Sequence, residues 1–173
     1  MTAVHARHAF PSTTLQRIDR AIANSEALHG GELRFVVERA LEGAALWRAQ
    51  SSRERAIDLF SSLRIWDTEH NSGVLIYVLL ADRSVEILAD RGIHAKAGQP
   101  AWDAICRAME LYFRVGKFET GSLDGIAAIT KLLEKHFPRM PGAQNELPDF
   151  PADRKSTRLN SSHVSESRMP SSA

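Results

Sequence analysis

An uninterrupted apolar run, GVLIYVLL at residues 73–80, constrains the fold of this chain more than any other feature. Eight residues are far too few for a membrane-spanning helix, which needs roughly 20. The apolar residues do not alternate with polar ones, so both faces of the segment must be covered by other parts of the protein. The run therefore predicts a central β-strand.

Two further segments predict strands beside this one. ELRFVVE at residues 32–38 is β-branched and aromatic, and residues 85–89 alternate apolar with polar side chains after a tight turn. A predicted helix joins the first strand to the central one, which makes these two strands parallel. The tight turn makes the third strand antiparallel to the central strand.

Four amphipathic segments predict helices, and no internal repeat is visible. The sequence thus predicts an α/β fold: a small three-layer α/β/α sandwich with a mixed sheet of three to four strands and at least four helices. The predicted helix starts are, in chain order, Ser12 or Thr13, the capping box Ser51-x-x-Glu54, Pro100 and Ser122.

Composition divides the chain into four parts. Residues 1–11 predict a flexible arm, residues 12–138 hold every strand and helix signal, and residues 139–152 resemble a linker. Serine supplies seven of the 21 residues from 153 onward, and the back-translated DNA of this stretch resembles a widely used sequencing adapter. We therefore interpret residues 153–173 as disordered, translated adapter sequence and exclude them from functional reasoning.

Charge and cysteine content exclude several classes of protein. The 22 basic and 21 acidic residues give a formal net charge of +1, too little to drive nucleic-acid binding. A single cysteine, Cys106, permits neither an internal disulfide nor a cysteine-based zinc site. No transmembrane segment or secretory signal is recognisable, so we expect a cytoplasmic protein. No known catalytic motif is present, and the catalytic residues are unknown.

Two tryptophans and the cysteine are predicted to have structural roles. Trp47 and Trp66 flank the second predicted helix and most simply fill the core, although an exposed Trp47 would instead anchor a partner. Cys106 lies beside Trp102 and Met109 on the apolar side of the third helix. We expect it to be a core residue and not a nucleophile.

Polar residues gather at one edge of the predicted sheet. The segment before the central strand and the end of the third strand meet there, because one strand pair is antiparallel. Divalent cations such as Ca²⁺ or Mg²⁺ need several oxygens converging from loops. Alternatively, these are solvated loop residues, since their spacing falls short of an EF-hand loop. The candidate metal ligands are Asp67, Glu69, Asn71 and Asp90.

Three histidines lie at the same predicted edge: His29, His70 and His94. No two of them have a spacing diagnostic of a zinc site or of general-base catalysis. We expect each to be a surface histidine.

The order of elements, together with three segments, resembles the TPM domain family. The segments are DTEHNSGVLI at 67–76, ADRSVEI at 81–87, and GKF at 116–118 followed by LDGI at 123–126. The founding members of this family are a thylakoid-lumen protein, a photosystem-repair protein and an acetylcholine-receptor accessory protein. The resemblance covers about residues 15–137 and implies an α/β/α sandwich. Because no signal or membrane anchor is recognisable, we expect a soluble, bacterial-type branch of the family. The resemblance also implies an acidic loop site that binds divalent ions in some members, and acid phosphatase activity in a plant member.

Two functions are compatible with these observations. The first is a binding or accessory module that recognises a protein partner, which could lie near a membrane, with an optional divalent ion shaping the loops. The alternative is a metal-assisted acid phosphatase in which Asp67, Glu69 and Asp90 hold an ion that polarises a phosphoryl oxygen and activates water. Arg91 would then steady the phosphate.

Overall fold

A computed structural model describes residues 9–68, 71–139 and 152–153, the last two by their backbone alone. A mixed sheet lies between helices on both of its faces, so the predicted α/β sandwich is confirmed. The strands are β1 (Glu32–Glu38), β2 (Gly73–Leu79), β3 (Ser84–Ala89) and β4 (Ala152–Asp153). The helices are α1 (Ser12–Glu26), α2 (Ala44–Trp47), α3 (Ser52–Ser62), α4 (Arg91–Ala97), α5 (Gln99–Arg114) and α6 (Phe118–His136).

The sheet has the strand order β3-β2-β1-β4. β2 is parallel to β1 and antiparallel to β3, as predicted. Every residue of β2 is buried, which confirms the reading of its apolar run as a central strand. The two residues of β4 pair in parallel with Val36 and Val37 of β1. The rest of the predicted linker after Arg139, and the remainder of the serine-rich tail, lie outside the described residues.

Alternate side chains of each strand enter two separate cores. Leu33 and Phe35 of β1 pack with α1, α4, α5 and α6 on one face of the sheet. Val36 of β1 and Tyr77 of β2 pack with α3 on the other face. Phe10, inside the predicted arm, is buried with its ring 5.9 Å from that of Phe35. Phe10 therefore belongs to the core, and its ring also lies 5.8 Å from that of Phe118 at the start of α6.

Three of the four predicted helix starts lie at or next to the observed ones, since α1 begins at Ser12 and α5 begins at Gln99, beside Pro100, and the fourth differs. The capping box of Ser51 and Glu54 is present at the start of α3, as predicted. At the start of α1, Pro11 occupies the N-cap position and no side chain caps the helix. α6 begins at Phe118 and not at Ser122, whose hydroxyl donates to the Phe118 carbonyl inside the helix. The short helices α2 and α4 were not predicted.

The tryptophan prediction was wrong for both residues. Trp47 is 90% exposed and Trp66 is 51% exposed. Ala45 is the residue of α2 that faces inward, so Trp47, two residues further along this short helix, faces solvent. Of the three tryptophans only Trp102 is buried, on the side of α5 that faces the core.

Candidate functional site

The loop before β2 and the end of β3 meet at one edge of the sheet. The Asp90 N–H donates to the Gly73 carbonyl over 2.8 Å, and the Glu32 N–H donates to the Ser72 carbonyl over 2.9 Å. Gly73 is required at this crossing, because a Cβ atom there would lie 1.9 Å from the Ile65 carbonyl oxygen. Main-chain bonds therefore hold Asp90 beside the last residues of the loop. We name this region the β2-loop edge: residues 67–68, residues 71–73 and Asp90.

Thr68 organises the loop. Its carbonyl accepts from the Asn71 N–H over 3.2 Å, and its hydroxyl accepts from the Ser72 N–H over 2.8 Å. Asn71 takes a left-handed backbone conformation with φ of 50°, which asparagine tolerates better than most residues. The side chains of Asp67 and Asn71 are both exposed, and Glu69 and His70 lie outside the described residues.

Asp90 differs from the exposed candidates, since it is only 7% exposed. Its Oδ1 atom accepts from the Arg91 N–H over 2.6 Å and so caps α4. Its Oδ2 atom is buried and, within the part of the chain that the structure describes, has no hydrogen-bond partner. An unpaired buried carboxylate oxygen is costly, and ions or water satisfy such atoms in most proteins.

The described residues contain no group of three or more His, Cys, Asp or Glu side chains arranged to hold a metal. The backbone positions of Asp67, Asn71 and Asp90 lie at the same edge of the sheet. Of these three residues, only Asp90 has a buried side-chain oxygen. His94 is exposed, in agreement with the sequence. Arg91, the phosphate-steadying candidate, is exposed at the first position of α4.

The prediction of a surface position for His29 was wrong. His29 is 2% exposed, and its Nδ1 accepts from the Gly31 N–H over 3.1 Å. The other ring nitrogen, Nε2, therefore carries the proton and donates to Ser25 Oγ, 2.7 Å away. Burial lowers the pKa of His29 from 6.5 to about 4.

The hydrogen-bond chain continues from Ser25 into α6. The Ser25 hydroxyl donates to Thr130 Oγ1 over 2.6 Å, and the Thr130 hydroxyl donates to the Ile126 carbonyl over 2.7 Å. Every proton in this chain points away from His29, so the imidazole cannot accept the Ser25 proton as a catalytic base would. The group ties α1 to α6. Its sequence signal was the Ser25-x-x-x-His29 spacing, one helical turn apart.

The opposite edge of the sheet holds a buried ion pair that the sequence analysis missed. Arg55 of α3 donates from Nε and a terminal nitrogen to the two oxygens of Glu38, at 2.9 and 2.7 Å. The Tyr77 hydroxyl donates to Glu38 Oε2 over 2.9 Å. Glu38 raises the pKa of Arg55, while burial followed by the Glu38 charge raises the pKa of Tyr77. Because three donors satisfy the Glu38 carboxylate, we interpret this group as a structural contact.

Cys106 is half-buried and packs against the core, as predicted. Burial raises the pKa of its thiol to about 12, so the thiol stays protonated at neutral pH. Elsewhere on α5, an apolar groove of about 210 Å³ runs between α5 and α6. The helices approach closely there, because a Cβ atom at Gly125 would lie 2.4 Å from Met109 Sδ.

Comparisons with known proteins agree with this geometry. Residues 4–132 match the TPM domain family. The chain belongs to that family. The TPM domain extends over α1, the central strands and most of α6. No curated protein matches the chain.

Two solved structures show the same fold. The chain is similar to the BA42 protein of the psychrophilic bacterium Bizionia argentinensis, with 31% identity and a TM-score of 0.73 over 82% of this chain and 93% of that one. It is also similar in fold to the N-terminal domain of a protein from P. gingivalis, with 20% identity and a TM-score of 0.54 over 70% of this chain and 74% of that one. None of the helices described for this TPM domain has the length and apolarity needed to cross a membrane.

Proposed function

We propose that this TPM domain is an accessory module that binds a divalent cation at the β2-loop edge. The observation that carries the proposal is the Oδ2 atom of Asp90, which is buried and has no partner among the described residues. A cation would satisfy this oxygen and offset its cost. Ca²⁺ and Mg²⁺ are the ions whose preference for oxygen ligands fits such a position.

The remaining ligands would come from the loop before β2. Asp67 and Asn71 are exposed and belong to the segment whose end is bonded to Asp90 through Gly73, so their side-chain oxygens are free to turn toward an ion. Glu69 is the third loop candidate. Bringing several carboxylates together without an ion costs like-charge repulsion, which the bound cation relieves.

Thermal unfolding of the full chain with calcium, magnesium or manganese chloride tests the site. A cation that binds only the folded state, at 100 times its dissociation constant, stabilises it by about 2.7 kcal/mol. For a domain of this length that is a rise of several degrees in Tm. A Tm unmoved by all three cations would overturn the proposal.

Matched variants locate the site. Asp90→Asn keeps a good helix N-cap but removes the charged ligand, so we expect it to abolish the rise in Tm without unfolding α4. Asp82→Asn is the control, because Asp82 is exposed in the turn between β2 and β3, at the opposite edge. A variant at Asp82 that abolished the response, with Asp90→Asn leaving it intact, would contradict the assignment.

A metal-assisted phosphatase is the second candidate, and Arg91 favours it because this exposed cation directly follows Asp90. The same preparation, assayed with p-nitrophenyl phosphate, separates the two functions. Cation-dependent turnover that disappears in Asp90→Asn supports the enzyme. A cation-dependent Tm without turnover supports the accessory module, whose protein partner remains to be identified by binding experiments.

A further inference from the structure

Among the described residues, the four most exposed large apolar side chains lie on segments at the edge of the sheet opposite the β2-loop edge. Trp47 and Leu46 of α2 are 90% and 63% exposed. Leu111 and Val115, one turn apart at the end of α5, are 62% and 69% exposed. Single exposed apolar residues are ordinary, but four large ones at one end of a domain indicate an interaction surface.

Hydrogen bonds join the segments that carry these residues. The Ala81 N–H donates to the Arg39 carbonyl over 2.9 Å, which connects the end of β1 to the turn between β2 and β3. Arg83 in that turn donates to the Arg114 carbonyl over 2.8 Å, which connects the turn to the end of α5. We name the resulting surface the Trp47 face: residues 39–48, 81–83 and 111–117.

The Trp47 face is basic, although the whole chain is nearly neutral. Its acidic side chains are Glu42 and Asp82. Glu119, just beyond it, is paired with Arg17 of α1. The basic side chains of the face are Arg39, Arg48, Arg83, Arg114 and Lys117. The face thus has five basic and two acidic side chains beside its exposed apolar residues. It is complementary to a surface that is negatively charged on the outside and apolar beneath.

We propose that the Trp47 face docks on the surface of an anionic phospholipid bilayer, with Trp47 at the level of the headgroups. Tryptophan is favoured at membrane interfaces because its ring is apolar and its N–H is polar. Neighbouring Arg and Lys side chains are attracted to anionic headgroups, by about a factor of five per residue. This docking is independent of the cation site, which lies at the other edge.

The shape of the face favours a bilayer over an acidic peptide. A peptide needs a groove beside the aromatic residue, whereas the apolar groove between α5 and α6 reaches the Trp47 face only at Tyr112 and is lined chiefly by residues such as Ala108 and Gly125. Trp47 instead projects from a helix of four residues, of which only Ala45 is buried. A projecting aromatic residue can enter a lipid headgroup layer without any complementary pocket.

Co-sedimentation of the full chain with lipid vesicles tests the proposal. We expect binding to phosphatidylcholine vesicles that contain phosphatidylglycerol, weaker binding as salt is raised, and little binding to phosphatidylcholine alone. Every variant carries the same residues 140–173, so differences between variants report on the Trp47 face.

Two pairs of variants separate insertion from charge. Trp47→Ala should lower the vesicle partition coefficient roughly tenfold, whereas Trp66→Ala, a half-exposed tryptophan at the β2-loop edge, should leave it unchanged. Arg48→Glu with Lys117→Glu should lower it by more than about tenfold. The control Arg20→Glu with Lys131→Glu changes net charge equally, on exposed positions of α1 and α6.

Fluorescence gives a direct readout of insertion. In a Trp66→Phe background, the emission of Trp47 should shift to shorter wavelength with phosphatidylglycerol vesicles, while buried Trp102 contributes a constant signal. No sedimentation at low salt would overturn the proposal. So would binding that Trp47→Ala leaves unchanged, or equal retention on polyglutamate and on vesicles, which would assign the face to an acidic polypeptide.

Discussion

Glu38 and Asp90 are buried carboxylates at opposite edges of the sheet, and their surroundings differ. Glu38 accepts from two nitrogens of Arg55 and from the Tyr77 hydroxyl, so both of its oxygens are satisfied. Asp90 accepts from the Arg91 N–H on one oxygen, and the other has no partner in the described part of the chain. Burial alone therefore does not identify a binding site. The unsatisfied oxygen of Asp90 is what supports the proposed cation site, because such an atom gains most from a ligand.

The largest effect is expected at Glu38. Glu38→Ala leaves the Arg55 charge and the Tyr77 hydroxyl without their acceptor, which should cost about 3–5 kcal/mol in urea unfolding. The triple variant Glu38→Leu, Arg55→Met, Tyr77→Phe should recover most of this loss. Glu86→Ala is the control, because its ion pair with Arg53 is half-exposed and contributes under about 1 kcal/mol. Equal losses at Glu38 and Glu86 would contradict the contrast between them.

The second effect is the pH dependence that His29 imposes at the β2-loop side. Its pKa is about 4 in the folded protein and 6.5 in the unfolded chain, so between these values the unfolded state alone binds the proton. Stability is complete above pH 6.5 and should fall by about 2–3 kcal/mol as pH drops from 6.5 to 4. Denaturant unfolding at several pH values measures the slope.

Two histidine variants isolate this contribution. His29→Gln cannot titrate in that range, so its free energy of unfolding should lose the slope between pH 6.5 and 4. His94→Gln, at an exposed position, should keep it. The depressed pKa values of Glu54 and Glu119 affect stability only below about pH 4.5. An unchanged slope in His29→Gln would disprove the assignment.

A smaller effect sharpens the comparison at Asp90. Without cations, Asp90→Asn should stabilise the fold by up to about 1 kcal/mol, because a neutral amide is less costly to bury than an unpaired charged oxygen. Asp90→Ala should instead destabilise it by about 1 kcal/mol, because the N-cap of α4 is lost. Thermal unfolding in a chelating buffer measures both. Destabilisation by Asp90→Asn equal to that of Asp90→Ala would show that the charge itself is needed for folding.

The smallest effect is expected at Trp47. Its side chain is 90% exposed, so Trp47→Ala should change the free energy of unfolding by less than about 0.5 kcal/mol. Trp102→Ala, in the core beneath α5, should cost about 3–5 kcal/mol. The contrast is measured by urea unfolding. A large loss at Trp47 would mean that the residue supports the fold and is not held for a partner.

Much of the architecture could be predicted from the sequence. The apolar run of β2, the alternation in β3 and the capping box at Ser51 are local patterns, and each was found in its predicted place. The parallel and antiparallel pairings followed from connection length. The convergence of Asp90 on the loop before β2 followed from those pairings, since the order of the strands fixes which segments share an edge.

Local residue patterns predict β1, β2 and β3, their directions and the two edges, because these features depend on patterns a few positions long. The burial of His29, the exposure of Trp47 and the contact between Arg55 and Glu38 arise from tertiary packing. Those outcomes depend on which side chain of a short segment faces the core and on packing between distant helices. The helix Ala44–Trp47 is an example. Ala45 is buried and Trp47 is exposed, and no local sequence pattern predicts which of the two faces the core.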